Sequence, residues 1–210
     1  MKVIELFGCP GSGKTHALTL LRANDVTNNT VKGNYLQEFL KKMIKYIIIF
    51  FPYTIRIRKK IYTVVDGKNY YHKFSGKKIT HLINNISMLV AIYRYSNKKL
   101  ILDEGVVHRI ISMVIACELG NAKAVEIVNV LKDDIKEVNV LFLDTPIEEC
   151  YDSIIKRNRH EASIDKLRDD DLRQLLKEYE ECCNLVADTF GFEKVNRSKL
   201  ENIIGREFRL

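Results

Sequence analysis

Apolar residues fall along the chain in short runs and in helical stripes, in an order that predicts strands interleaved with helices. Lys2 to Phe7 is a short apolar run suited to a buried parallel strand, and the glycine-rich turn Gly8 to Thr15 opens a helix through about Arg22. Beyond the polar stretch Asp25 to Thr30, Leu36, Phe39, Leu40, Met43 and Ile47 have helical spacing across Tyr35 to Phe51, a helix that Pro52 should break. Ile55 to Val65 fits either strand alternation or a basic helix and is taken as helix; Asp66 and Gly67 mark a turn, and the helical pattern resumes over Ile79 to Tyr95. Leu100 to Leu102 is the next buried strand, ending in Asp103, Glu104 and Gly105.

Helices over Val106 to Leu119 and Ala122 to Val138 follow, separated by Gly120 and Asn121, and then a strand at Val140 to Leu143. Thr145 is expected to cap a helix that has Pro146 at its first position and Glu148 and Glu149 in its first turn, and that runs to about Lys156. A long helix near Asp165 to Thr189, a last strand at Phe192 to Val195 and a terminal helix from Ser198 complete the order. This alternation predicts an α/β fold, a three-layer doubly wound parallel sheet in one domain over residues 1–210. The expected sheet has five strands in the order 2-3-1-4-5, its strand 2 being the one that the pattern does not place.

A chain of 210 residues with 46% hydrophobic and 29% charged residues can hold its own core, which sets aside disordered, collagen-like and coiled-coil classes. Its longest strongly apolar run, Ile47 to Phe51, is far short of the ~20 residues that span a bilayer. The N-terminus has a strand pattern and not that of a signal peptide, so a cytoplasmic protein is expected. Five cysteines, at 9, 117, 150, 182 and 183, make no CxxC pair and have no histidine at metal-ligand spacing; they read as small buried hydrophobes.

The net charge of +7 is unevenly spread. Val31 to Lys99 carries 15 Lys and Arg against Glu38 and Asp66 alone, so this segment is +13 and the remainder −6. Such a block suits a phosphorylated substrate, an anionic membrane surface or simply a solvated face. Nucleic acid is the weakest of the acidic partners, since zinc-finger spacing, an RNP-like motif and a GxxG clamp are all missing. Lys41, Lys42, Lys45, Arg56, Arg58, Lys59 and Lys60 flank the apolar stretch Tyr46 to Tyr53, a pattern that fits peripheral contact with an anionic bilayer or a buried helix with snorkelling cations. Tyr70, Tyr71, His72, Tyr93, Arg94 and Tyr95 fit either stacking on a base or sugar, or core packing.

Gly8, Cys9, Pro10, Gly11, Ser12, Gly13, Lys14 and Thr15 match GxxxxGK[ST] in full, with a strand before and a helix after. A loop nearly free of side chains turns backbone amides onto phosphate oxygens at the positive end of the next helix. His16, the next residue of that helix, joins this nucleotide-binding set. Lys14 is expected to reach the β and γ phosphates of ATP and the Thr15 hydroxyl to ligand Mg²⁺, with Asp103 as a second magnesium partner or as the base that accepts an acceptor hydroxyl's proton. Asn97 to Leu100 lacks the Asp of a guanine motif and an LSGGQ-type signature is missing, which leaves a small-molecule kinase. The alternative is a nucleotide-dependent ATPase switch acting on a membrane or a protein partner.

From these residues the chain resembles the thymidylate kinase and deoxynucleoside kinase superfamily of phosphate-loop kinases. The resemblance rests on KVIELFGCPGSGKT at 2–15, LILDEG at 100–105, VLFLDTPIEECYDSIIKRNR at 140–159 and EKVNRS at 193–198. It implies a lid over residues 156–165, with Arg157 and Arg159 supplying cationic charge to the transferring phosphate. It also implies that residues 31–99 build the acceptor site and that helices beside that site pack across a two-fold in a homodimer. Glu104 departs from the Asp-Arg of thymidylate kinases, whose Arg binds the acceptor's own phosphate. A carboxylate there favours an alcohol acceptor, or a phosphate held elsewhere, with His108 and Arg109 as candidate replacement cations.

Overall fold

The computed structural model describes residues 3–22, 50–65, 76–95, 100–157, 163–196 and 199–200. In chain order the described elements are β1 (Val3–Phe7), α1 (Lys14–Arg22), α2 (Pro52–Val65), α3 (Gly76–Tyr95), β2 (Leu100–Leu102), α4 (Val106–Ala116), α5 (Asn121–Ile135), β3 (Val138–Leu143), α6 (Ile147–Arg157), a 3₁₀ turn (Ser163–Lys166), α7 (Asp169–Phe190) and β4 (Glu193–Val195). The expected helix over Tyr35 to Phe51 and the turn at Asp66 and Gly67 lie outside the described residues, apart from Phe50 and Phe51, which form a bend ahead of α2.

Every residue of β1 is buried, as a central parallel strand covered on both faces requires. The four described strands form one parallel sheet in the order β2-β1-β3-β4. Among the described residues this is the predicted order without strand 2. Ile55 to Val65 forms the helix expected of it, with Thr54, Ile57, Ile61 and Val65 buried on one side of α2. On one face of the sheet, Val3, Phe7, Val140 and Phe142 pack into a large core with α2, α3, α4, α5 and α7. Phe7 stacks on Phe142 with centroids 5.1 Å apart. On the other face, Ile4, Leu6, Leu141 and Leu143 meet Ala17 of α1 and Leu200. No described helix is long and apolar enough to cross a membrane.

Two differences from the sequence reading have local causes. The helix predicted to Leu119 stops at Ala116, after which Cys117 and Glu118 turn back onto Met113 and Ile115 carbonyls, Glu118 with φ 50°. The long helix predicted from Asp165 starts at Asp169, because residues 163–166 form a separate 3₁₀ turn; Asp169, Asp170 and Asp171 then place negative charge at the α7 N-terminus. It ends where Gly191 adopts φ 65° and the Phe192 amide returns to the Ala187 carbonyl at 3.0 Å.

The basic segment divides its charge. Arg56 and Lys60 of α2 converge on Asp134 of α5 at 3.2 and 2.6 Å, with the Tyr53 hydroxyl donating to the same carboxylate at 3.1 Å. The Asp134 side chain is buried, 3% exposed, so this cluster fastens α2 to the rest of the core. Arg58 donates to Asn84, and Lys59 is exposed. Tyr93 belongs to the core, whereas Tyr95 is exposed with its ring edge-on to Tyr53; Tyr70, Tyr71, His72, Lys41, Lys42 and Lys45 lie outside the described residues.

Candidate active site

The phosphate loop runs from the end of β1 into α1 at the carboxyl end of the sheet, where open α/β sheets bind ligands. Its glycines are sterically required. Gly11 has φ 80°, and a Cβ there would stand 2.3 Å from the Cys150 carbonyl oxygen; at Gly8 a Cβ would stand 2.6 Å from that of Leu143. Thr145 braces the loop from β3's side: its hydroxyl donates to the Ser12 carbonyl at 3.2 Å. No amide of α6 donates to this hydroxyl among the described residues, so Thr145 is not the predicted helix cap. The first α6 bond instead comes from the Cys150 amide to the Pro146 carbonyl, and α6 begins at Ile147.

Lys14 is 8% exposed, and its ammonium donates to the carbonyls of Gly8 and Cys9 at 2.9 and 2.7 Å and to Ser12 Oγ at 3.3 Å. Burial lowers its pKa, with the neighbouring thiols of Cys183, Cys9 and Cys150 and the Asp103 carboxylate pulling the other way. Cys9 and Cys150 are buried beneath the loop, in a small core with Ile154, Leu172 and Leu176. The Cys9 thiol is pushed up by the company of the Cys183 thiol and by burial, against a lowering hydrogen bond to Cys150, so it remains protonated packing.

The Thr15 hydroxyl donates to Asp103 Oδ2 at 2.9 Å. Asp103, Glu104 and Gly105 form the three-residue link between β2 and α4. Glu104 is exposed and pairs with Arg109 at 3.2 Å, and Arg109 Nε also donates to the Glu104 carbonyl. Arg109 thus answers Glu104. His108 gives its backbone amide to Glu5 Oε1 at 3.0 Å, and its Nδ1 is buried without a partner among the described residues. Burial, then Lys14 and Arg109, push the imidazole well below its ordinary range, so it is neutral and offers no replacement cation.

A cleft of about 1220 Å³ opens over the loop, taking in Pro10, Gly11, Gly13, Lys14, Thr15 and His16. Across it stand Asp103, Glu104 and His108 of the link and α4, Arg157 at the end of α6, and one face of α7 including Gln174, Glu178 and Tyr179. A side cavity of about 110 Å³ adjoins it between α3 and α4, lined by Leu82, Asn85, Glu104, His108, Arg109 and Ser112. Gly8 and Ser12 are the buried members of the loop that do not line the cleft, together with Cys9. Arg157 Nε donates to Asp165 of the 3₁₀ turn at 3.2 Å, a second guanidinium nitrogen reaches the same oxygen, and the Asp165 side chain is 5% exposed. Arg159 lies outside the described residues.

Glu5 is the residue that periodicity passed over. It reads as a polar interruption of a strand, yet it is fully buried and collects the Val106 amide at 2.9 Å, the Tyr93 hydroxyl at 3.0 Å and the His108 amide. Burial pushes its carboxyl from 4.5 up to about 7, with the His108 amide, the Tyr93 hydroxyl and the Val106 amide pulling the other way. The signal was an acid inside an otherwise apolar central strand, where an unpaired charge is not tolerated.

No family model and no curated protein matches the chain. Solved structures do. A deoxyadenosine kinase from M. mycoides with bound dATP superposes with a TM-score of 0.51 at 14% identity, covering 99% of this chain and 100% of that one. The chain shares the fold of this deoxyadenosine kinase. The same enzyme with bound dCTP gives 0.50 at 14% identity over 98% of each chain. With its products dCMP and a flexible dCDP it gives 0.51 at 14%, over 98% and 97%. The likeness thus covers nearly the whole chain, in agreement with the resemblance carried by the four sequence segments.

Proposed function

We propose that the protein is an ATP-dependent kinase that transfers the γ-phosphoryl group to a hydroxyl of a nucleoside-like small molecule. The observation that carries this reading is the 2.9 Å bond from Thr15 to Asp103, which brings a hydroxyl of the phosphate loop and a carboxylate of the β2–α4 link together at the cleft. Hydroxyl and carboxylate oxygens are the hard donors that Mg²⁺ takes, and the glycine cradle leaves backbone room for phosphate, so both groups fit the residues present. Thr15 and Asp103 would hold the metal, which supplies neutralisation of phosphate charge when bound.

The chain's own residues do the rest. Backbone amides of Gly11 to Thr15 and the α1 N-terminus orient the phosphates, and Lys14 turns its charge onto the β and γ oxygens. Arg157, steadied by Asp165, offers a second cation at the far wall, and Arg159 follows it in the lid sequence. The side cavity beside Glu104 and His108 receives the part of the acceptor that does not react. Five carboxylates face the cleft, those of Asp103, Glu104, Glu118, Asp171 and Glu178, which favours an acceptor that brings no phosphate of its own.

The test is a screen of nucleosides, nucleotides, sugars and polyols with radiolabelled ATP. Transfer of label to a nucleoside in preference to its monophosphate is expected. Hydrolysis of ATP that no acceptor alters would overturn the reading.

A further inference from the structure

Glu5 holds both ends of the link that carries Asp103. Its backbone stands opposite Leu102, the last residue of β2, in the parallel ladder. Its side chain accepts the amides of Val106 and His108 in the first turn of α4, 2.9 and 3.0 Å away. Only Asp103, Glu104 and Gly105 lie between those anchors. A link so short, with one residue fixing where it leaves the sheet and where it enters the helix, has little freedom to place Asp103 anywhere else.

Three further features say that this clamp is built in. Gly105 occupies the cap position of α4 but offers no side-chain cap bond, so the carboxylate of a distant strand serves the orphan amides instead. A Cβ at Gly105 would stand 2.2 Å from Glu5 Cδ, so the link is shaped around that carboxyl group. Tyr93 of α3 closes the network: its hydroxyl donates to Glu5 Oε2 and also accepts from the Val106 amide at 3.1 Å. Glu5 itself lies three residues ahead of Gly8, on the strand that feeds the loop carrying Thr15.

We propose that Glu5 is a positioning residue that sets the Asp103 carboxylate against the Thr15 hydroxyl, and thereby the affinity of the nucleotide site for Mg²⁺, without touching metal, nucleotide or acceptor. The proposal rests on the reading of Thr15 and Asp103 as the metal's holders. Residues that orient ligands from behind cost about 10- to 100-fold in metal affinity or activity when replaced.

The experiment is calorimetric titration of ATP into the full chain at a series of Mg²⁺ concentrations, for wild type, Glu5→Gln, Tyr93→Phe, Asp103→Asn and the Glu5→Gln/Asp103→Asn pair, with circular dichroism to confirm folding. Glu5→Gln is expected to raise the Mg²⁺ midpoint about 10-fold or more, to leave metal-free ATP affinity unchanged, and to add almost nothing in the Asp103→Asn background. A folded Glu5→Gln chain with a wild-type midpoint, or effects of the two substitutions that add, would overturn the proposal. Should Glu5→Gln fail to fold, Tyr93→Phe decides: a raised midpoint supports the clamp and an unmoved one overturns it. Because no acceptor enters the titration, a failed acceptor screen defeats the kinase reading while this result stands by itself.

Discussion

The hydroxyl of Thr15 donates to the carboxylate of Asp103 at 2.9 Å, joining residues 88 positions apart across the mouth of the cleft. One comes from the loop after β1 and the other from the link after β2, neighbouring parallel strands in the sheet. Removing the hydroxyl with Thr15→Ala should weaken ATP binding in the presence of Mg²⁺ by about 1–2 kcal/mol, roughly 5- to 30-fold, and leave binding without the metal nearly unchanged. Equal losses with and without Mg²⁺ in calorimetry would refute the assignment of Thr15 to the metal.

Lys14 has its ammonium folded over the loop in three bonds to Gly8, Cys9 and Ser12. Replacing it by Ala removes the one cation of the loop and leaves two buried carbonyls short of a donor. Nucleotide affinity is expected to fall by at least about 2 kcal/mol, some 30-fold, with a lower melting temperature as well. A fluorescent nucleotide bound by the variant as tightly as by wild type would end the phosphate-loop assignment.

Glu5 makes stability depend on pH. Its folded-state carboxyl is raised from 4.5 to about 7, so the folded chain keeps a proton that the unfolded chain has already released between those values. Stability contributed by that proton is complete below pH 4.5 and is lost as the pH climbs through 7, by about 3 kcal/mol in total. Glu5→Gln has no such proton to lose. Urea unfolding at pH 5 and pH 8 should therefore show the wild-type advantage over a folded Gln variant shrinking by most of that amount, about 2.5 kcal/mol, and a gap independent of pH would contradict the burial of an ionisable Glu5.

Asp134 gathers Arg56, Lys60 and Tyr53 onto one nearly buried carboxylate. Asp134→Ala strands the Tyr53 hydroxyl and releases two cations that water can solvate, so the expected cost is about 1–2 kcal/mol, less than for a fully buried pair. Thermal unfolding should report it. Added salt should narrow the difference only slightly, because the carboxylate itself is shielded from solvent.

The sequence made the phosphate loop and the positions of the strands legible for a physical reason: both are local. Gly8 to Thr15 declares its turn by glycine spacing, and β1, β2 and β3 declare their burial by short apolar runs. Ile55 to Val65 was ambiguous because isoleucines at 55, 57 and 61 satisfy either period; packing of Ile57 and Ile61 against the core decides for helix. Thr145 was misassigned as a cap because a hydroxyl ahead of a helix has that use locally, whereas here the Ser12 carbonyl, 133 positions away, claims it. Glu5, Asp134 and Asp165 escaped notice for the same cause. Each is an acid whose partners are supplied by a different element; only Glu5 carries a local sign, its place inside an apolar strand, and that sign does not name its partners.

The 2.2 Å that separates Glu5 Cδ from where a Gly105 Cβ would stand makes these two positions hostages of each other in evolution. A lineage that gained Ser or Ala at 105 while keeping Glu5 would pass through a chain with colliding atoms in its central layer, and one that shortened residue 5 first would leave the α4 amides unserved. The second order is the milder, because a capping Ser at 105 can then restore a partner for those amides from within the link. Relatives of this chain are therefore expected to carry either an acid at 5 with glycine at 105, or a non-acid at 5 with a side chain at 105, and rarely the crossed combinations; an aligned set of such sequences in which the two positions vary independently would count against it.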